Sequence, residues 1–495
     1  MVGHLALAFQ QVLDPLVLGV VLASAMFGLF IGAIPGLSAT MAVALLVPIT
    51  FFLPPLPAVA CMVTATAMAI FAGDVPGALL RIPGTPASAA YCNDAYAITQ
   101  RGQAETLLGA GLVFSAVGGL FGTVVLVLAA PVLADAALRF SSVEYFWLVL
   151  LGLTSAVFVS PGNATKGLAS LMVGLLVASV GFENPAAYPR FTFGSTDLMS
   201  GFQLIPVMIG MFAVSEVLRY AVSADVVLEA PKQELGGIFK GQWTLLRKYR
   251  LATLRGSALG TLIGALPGAG ADIAAWMSYA VAKHFSKTPE KFGTGHIEGV
   301  LESSAANNAA LSGAWIPALV FGIPGDSITA IVIGVLYLKG LNPGPTIFIE
   351  HPENIYAVFI IFFLANLLMF PLGWLLIKAA RNVLRVPRNV LMPVILLFCA
   401  VGAFAINNSV FDVGVMLCFG LLAFLMEANG FPIAPTILGV VLGGMLEQHF
   451  VTSMIKAGGN PLAFFDRPIA AFLGVATILL WLSPLVMRRL RARAS

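Results

Sequence analysis

The sequence predicts an all-α polytopic membrane protein. Two inverted repeats with Pro-Gly-broken helices or re-entrant hairpins are followed by one extra C-terminal helix. Three observations predict this. First, 59% of the 495 residues are hydrophobic and only 10% are charged, against roughly 25% charged in soluble domains. Second, long apolar segments are broken in their middles by Pro-Gly, at Pro35-Gly36, Pro83-Gly84, Pro267-Gly268 and Pro324-Gly325. Third, these breaks recur in order. GLFIGAIPG (28–36) matches GTLIGALPG (260–268), PGALLRIPG (76–84) matches PALVFGIPG (317–325), and GLLVASVGFENP (174–185) echoes GLLAFLMEANGFPIAP (420–435). The offsets are 232, 241 and roughly 248, as expected of one duplicated unit with small insertions.

The segments follow in order. The first repeat, 1–225, holds apolar stretches at 16–52, 56–92, 106–133, 143–161, 164–181 and 197–221. The first two are broken, and the third has a predicted bend at Gly118-Gly119-Leu120. A polar linker, 226–250, precedes the second repeat, 251–460, with stretches at 252–285, 297–340, 354–377, 390–406, 409–427 and 433–448. Residues 461–495 supply a last transmembrane helix, 469–487, and a basic tail.

Basic residues orient these spans, because cytoplasmic loops collect Lys and Arg. The tail carries Arg488, Arg489, Arg491 and Arg493; the linker carries Lys232, Lys240, Arg247, Lys248 and Arg250. Both are therefore cytoplasmic. Counting back from the tail, the second repeat ends outside and the first ends inside, so the two are inverted. The loop with Lys378, Arg381, Arg385 and Arg388 then falls inside, its counterpart near Arg139 outside, Arg101 and Lys166 inside, and the N-terminus outside. Inverted repeats are typical of secondary transporters.

Other classes are poorly served. No HExxH, Walker A or GxSxG motif occurs, and the five His are scattered, so neither an enzyme nor ATP drive is expected. The net charge of +3 includes no basic tract for nucleic acid. Four cysteines at unrelated spacings imply neither disulfides nor a metal site. No cofactor is expected beyond a coupling ion, Na⁺ or H⁺. The N-terminus lacks the basic and small-residue marks of a signal peptide.

Candidate solute-binding residues cluster at the breaks: Pro35, Gly36, Ser38 and Thr40; Gly84, Thr85 and Ser88; Gly268 and Gly270; Gly325, Asp326 and Ser327. Each break is expected to start a half-helix whose free N–H groups and positive dipole end hold an anion. Four such ends would suit a multi-carboxylate solute; otherwise the breaks are structural bends. Asn307 and Asn308 either bind solute or ion, or hydrogen bond between helices. Arg81 either binds a carboxylate or pairs with Asp74 or Asp326. Asp272, Glu302 and Ser304 are candidate ion-coupling groups, and Glu298 suits a first helical turn. A channel with re-entrant loops is the rival reading, but channels favour a filter repeated around a symmetric oligomer.

The motifs GALPGAG (264–270), IEGV…AANNA (297–309), GIPG (322–325), LNPGP (341–345), GAIPG (32–36) and IPGTPASAA (82–90) together resemble the large membrane subunit of the tripartite tricarboxylate transporters. The resemblance covers nearly the whole chain. It implies a multi-pass permease of the bacterial inner membrane, working with a small four-helix membrane subunit and a periplasmic solute-binding protein. It also implies an ion-coupled importer of small carboxylates, such as citrate, with a stand-alone carrier as the alternative. Three departures fall at the site. Ser303 and Ser304 stand for a usual Pro-Glu pair, Arg81 for a usual Asn, and Asp326 for a usual Ser. The new Arg and Asp suggest a different or zwitterionic solute.

Overall fold

The computed structural model describes residues 2–159, 163–182, 188–222, 237–384 and 388–494. Lys232 and Arg385 lie outside the described residues, as do the side chains of Arg381, Arg388 and the basic tail. The protein is 79% helical with no strand among the described residues. Eight helices there are long and apolar enough to cross a membrane. It is an all-α, multi-pass membrane protein.

The first half runs α1 (Val2–Val12), α2 (Pro15–Ala33), α3 (Ala39–Phe51), α4 (Pro55–Ala72), α5 (Asp74–Leu80), α6 (Cys92–Gln100), α7 (Ala104–Ala137), α8 (Ser142–Val159), α9 (Ala164–Ala178), α10 (Leu204–Ile209) and α11 (Ser215–Val222). After α12 (Gln242–Lys248), the second half runs α13 (Arg250–Gly264), α14 (Gly270–Phe285), α15 (Ile297–Phe321), α16 (Ser327–Leu338), α17 (Ile347–Glu350), α18 (Pro352–Val383), α19 (Arg388–Asn407), α20 (Val410–Ala428) and α21 (Ile433–Lys456), and α22 (Pro468–Ala494) ends the chain. A broken helix, a second broken helix, one long helix and three further spans thus occur twice.

Proline alone does not set the breaks. Pro48, Pro131, Pro317, Pro371 and Pro393 all sit inside continuous helices. A helix ends where the backbone turns left-handed next to a proline. Gly36 (φ 85°) and Gly268 (φ 83°) do this at the first break of each half. At the second, Arg81 (φ 60°, ψ 26°) and Gly322 (φ 67°, ψ 20°) are the left-handed caps, and each is followed by Ile-Pro-Gly.

The halves also pack alike. A Cβ on Gly28 would stand 2.2 Å from the Ala65 carbonyl oxygen, and one on Gly260 2.2 Å from that of Ala306. Gly32 against Ala69 and Gly264 against Ala310 repeat the contact at 2.4 and 2.2 Å. Small residues spaced by four let backbones approach where water gives no hydrophobic drive. These pairs keep the sequence offsets of 232 and 241.

No break falls at Gly118-Gly119: α7 is one uninterrupted helix of 34 residues. Its glycines serve packing. Gly118 abuts Ala305 of α15, Gly119 abuts Asn366 of α18, and Gly122 abuts Ala309. A glycine pair inside a helix leaves the backbone hydrogen bonds intact, and here the neighbouring helices fill the space of the missing side chains.

Candidate functional site

Three of the four breaks are joined directly, and the helices flanking the fourth, at Pro35-Gly36, pack against neighbouring elements of the same set. The 83–90 break of the first half meets α14: the Ala87 N–H donates to Asp272 Oδ1 at 3.0 Å, and Trp276 Nε1 donates to the Pro86 carbonyl at 3.1 Å. In the reciprocal place, α3 packs against α16. Within the second half the Gly268 N–H donates to the Gly325 carbonyl at 2.8 Å. Within the first, α2 touches α5. Gly36, Pro86 and Asp272 keep exposed surface, and Ser38, Thr40 and Ser327 are part-exposed.

Local capping accounts for much of the polar sequence here. Ser38 Oγ accepts from the Met41 N–H at 3.1 Å and starts α3. Asp326 Oδ1 accepts from the Thr329 N–H at 2.8 Å, while the Asp326 N–H donates to Thr329 Oγ1 at 2.9 Å. The same reciprocal box joins Thr85 and Ser88, whose N–H groups each donate to the other's hydroxyl at 3.2 Å. Such boxes satisfy two orphan donors at a helix start. The side chains of Ser38, Thr85, Ser88 and Asp326 are thus engaged at their own turns. Pro35 and Gly270 are buried beside the breaks; Gly270 has no room for a side chain, since a Cβ would lie 2.7 Å from that of Asp326. Gly84 is closed in the same way, 2.7 Å from the Gly73 Cα, and Gly325 from the Ala314 Cα.

Two expectations are corrected. Four equal half-helices were predicted, but the 83–84 break is followed only by a three-residue turn, Ser88–Ala90, before α6. Pro86 removes a donor there, and the Thr85–Ser88 box closes a tight turn. Arg81 pairs with neither Asp74 nor Asp326. It is exposed, and its Nε donates to Asn93 Oδ1 at 3.1 Å. The left-handed backbone at Arg81 is the evident constraint on where its side chain goes.

Beneath the breaks, α15 carries the buried polar run. Glu302 is fully buried and held by both oxygens on Arg255, at 2.9 and 2.5 Å. Asn308 Nδ2 donates to the Ala67 carbonyl of α4 at 3.2 Å, an interhelical bond. Ser304 Oγ donates to Asp74 Oδ2 at 3.3 Å, and the Tyr91 hydroxyl donates to Asp74 Oδ1 at 2.5 Å. Asn307 Oδ1 and Ser303 Oγ are buried without a partner. Among the described residues no group of three His, Cys, Asp or Glu could hold a metal ion.

Sequence reading missed Asp94. This buried carboxylate of α6 accepts from the N–H groups of Gly293, Gly295 and His296 at 3.0, 2.6 and 2.9 Å, and from the Tyr279 hydroxyl at 2.5 Å. Arg101 adds bonds to the carbonyls of Thr294 and Gly295. The loop before α15 is thereby fastened to the first half. The signal was an acid in an otherwise neutral stretch; its partners are 185 to 202 residues away.

Residues 18–438 match the Tripartite tricarboxylate transporter TctA family. The chain belongs to that family. The duplicated breaks therefore lie in a subunit of a multi-part membrane transporter. Among curated proteins, this TctA-family chain is 33% identical over 490 residues to an Agrobacterium vitis protein described as "Uncharacterized 52.8 kDa protein in TAR-I ttuC' 3'region", covering 98% of this chain and 97% of the relative. A second Agrobacterium vitis protein, "Uncharacterized protein in TAR-II ttuC' 3'region", is 38% identical over 228 residues, 46% of this chain and 94% of the relative. No solved structure matches.

Proposed function

We propose that this TctA-family chain is the permease subunit of an ion-coupled importer of small di- or tricarboxylates in the bacterial inner membrane. It receives solute from a periplasmic binding protein and works with a small membrane subunit. The observation that carries this reading is that breaks from both halves meet in one partly open region, the 83–90 turn on α14 and Gly268 on Gly325. The first-turn N–H groups of α3, α14 and α16 offer donors and positive dipole ends there without a full charge. Ser38 and Asp326 cap α3 and α16, and no side chain caps α14, so backbone rather than hydroxyl groups would meet the carboxylates. Asp326 occupies a capping role that Ser could also fill, though unlike Ser it brings a carboxylate to the start of α16.

Residues 1–225 and 251–460 are two inverted repeats joined by the 226–250 linker. The repeated packing at offsets 232 and 241 supports this, as does one contact between equivalent residues: Asn308 meets Ala67, 241 positions earlier. Equivalent residues touch only near the axis of a two-fold relation. Three bonds across the halves also agree with the expected sidedness of these loops relative to one another. Lys166 donates to the Asn429 carbonyl, Arg101 to that of Thr294, and Arg467 to that of Arg139. Each joins loops that the charge rule assigns to one face.

The test is uptake into liposomes holding this chain and its small subunit. Labelled carboxylates are offered with and without the binding protein, under separate Na⁺ and H⁺ gradients. Saturable uptake that needs the binding protein and one gradient is expected. Gradient-driven uptake without the binding protein would make the chain a stand-alone carrier, and unsaturable flux would make it a channel.

A further inference from the structure

We propose that Asp74, Tyr91, Ser304 and Asn307 form a sodium site beside the solute region. The inference rests on the importer reading above and names the residues that would hold the coupling ion. Asp74 opens α5, the short helix that leads into the second break. It is 9% exposed, and no Lys, Arg or His forms an ion pair with it among the described residues. Two neutral hydroxyls, Tyr91 and Ser304, are its side-chain partners. A buried carboxylate so placed needs a positive charge, either a proton or a bound cation.

The surplus of acceptors favours the cation. Asn307 is 1% exposed and lies one turn beyond Ser304 on the same face of α15. It borders the Tyr91 hydroxyl, yet its Oδ1 has no donor. Protonation of Asp74 supplies one donor and leaves that oxygen orphaned. A hard cation takes lone pairs from carboxylate, hydroxyl and amide oxygens together. Space beside the carboxylate comes from Gly111 of α7, whose missing Cβ would stand 3.9 Å from Asp74 Oδ2. A filled site would hold α5, and with it the Pro83-Gly84 break, against α15. An empty site would leave that junction with an uncompensated charge.

The purified chain is assayed in detergent, in a choline buffer, by its apparent unfolding temperature during NaCl and KCl titrations. A saturable rise with Na⁺ and not K⁺ is expected, since a ligand of the folded state alone stabilises it by mass action. Asp74→Asn should abolish the sodium response and keep monodisperse elution, and Asn307→Ala should raise the sodium midpoint several-fold. An unchanged sodium response in Asp74→Asn overturns the proposal. So does a wild type that ignores Na⁺ but loses stability with rising pH in an Asp74-dependent way, because the charge is then a proton. If Asp74→Asn does not fold, Ser304→Ala and Asn307→Ala decide alone: unchanged midpoints overturn the site. No solute or partner enters this assay, so it can fail while carboxylate uptake succeeds, and the reverse.

Discussion

Arg81 holds a backbone conformation that its second-half counterpart, Gly322, adopts without a side chain. A left-handed non-glycine residue costs about 1–2 kcal/mol, less for Asn. Arg81→Asn should therefore raise the apparent unfolding temperature, by about 0.5–1 kcal/mol equivalent, and Arg81→Val should lower it. Equal melting of the two variants would mean that the backbone there relaxes freely. Asp94 is the opposite case, a side chain with every acceptor direction used. Asp94→Asn turns an amide donor toward four donors and should cost about 2–3 kcal/mol, measured as the loss of melting temperature in detergent. The sequence does not announce either role. Arg81 reads as a charge near a proline, and its positive φ is a property of the folded turn. Asp94 finds its partners across the chain, where no local pattern points.

The breaks and the helices between them were far more legible. Pro-Gly at four places, in two matched pairs, marks where α2, α5, α13 and α15 stop, because a proline beside a left-handed residue cannot continue a helix. Glycine without proline is a weaker sign: at Gly118-Gly119 it serves close packing in an unbroken α7. Composition cannot tell these uses apart; only the facing element can. Packing on α13 can be tested directly. Gly260→Ala would drive a Cβ to 2.2 Å from the Ala306 carbonyl, so a loss of about 1–3 kcal/mol is expected from overpacking. Gly414→Ala in α20, with nothing within 4 Å, should be neutral or mildly stabilising. Similar melting temperatures for the two would contradict the close approach of α13 to α15.

Taken whole, the chain is two similar sets of helices interleaved at their breaks. α14 of the second half meets the 83–90 turn of the first, and α3 of the first meets α16 of the second. The recurring order of broken helices was readable from motif offsets, whereas the cross-pairing was not, since it depends on how the halves turn toward one another. Inversion predicts opposite exposure of matched loops. A cysteine at Arg139 should react with an impermeant maleimide from outside, and one at Lys378 only after permeabilisation; both positions are exposed. Labelling from the same side would contradict inversion. In the proposed function, backbone donors at breaks from both halves bind one carboxylate solute. The most direct test is solute protection of two cysteines, Thr40→Cys in the first half and Ser327→Cys in the second. Three of the four native cysteines are buried, so only the exposed Cys418 needs replacing. Slower maleimide labelling of both positions when a transported carboxylate is present is the predicted result. Unchanged labelling at both, in protein that still transports, would contradict the account.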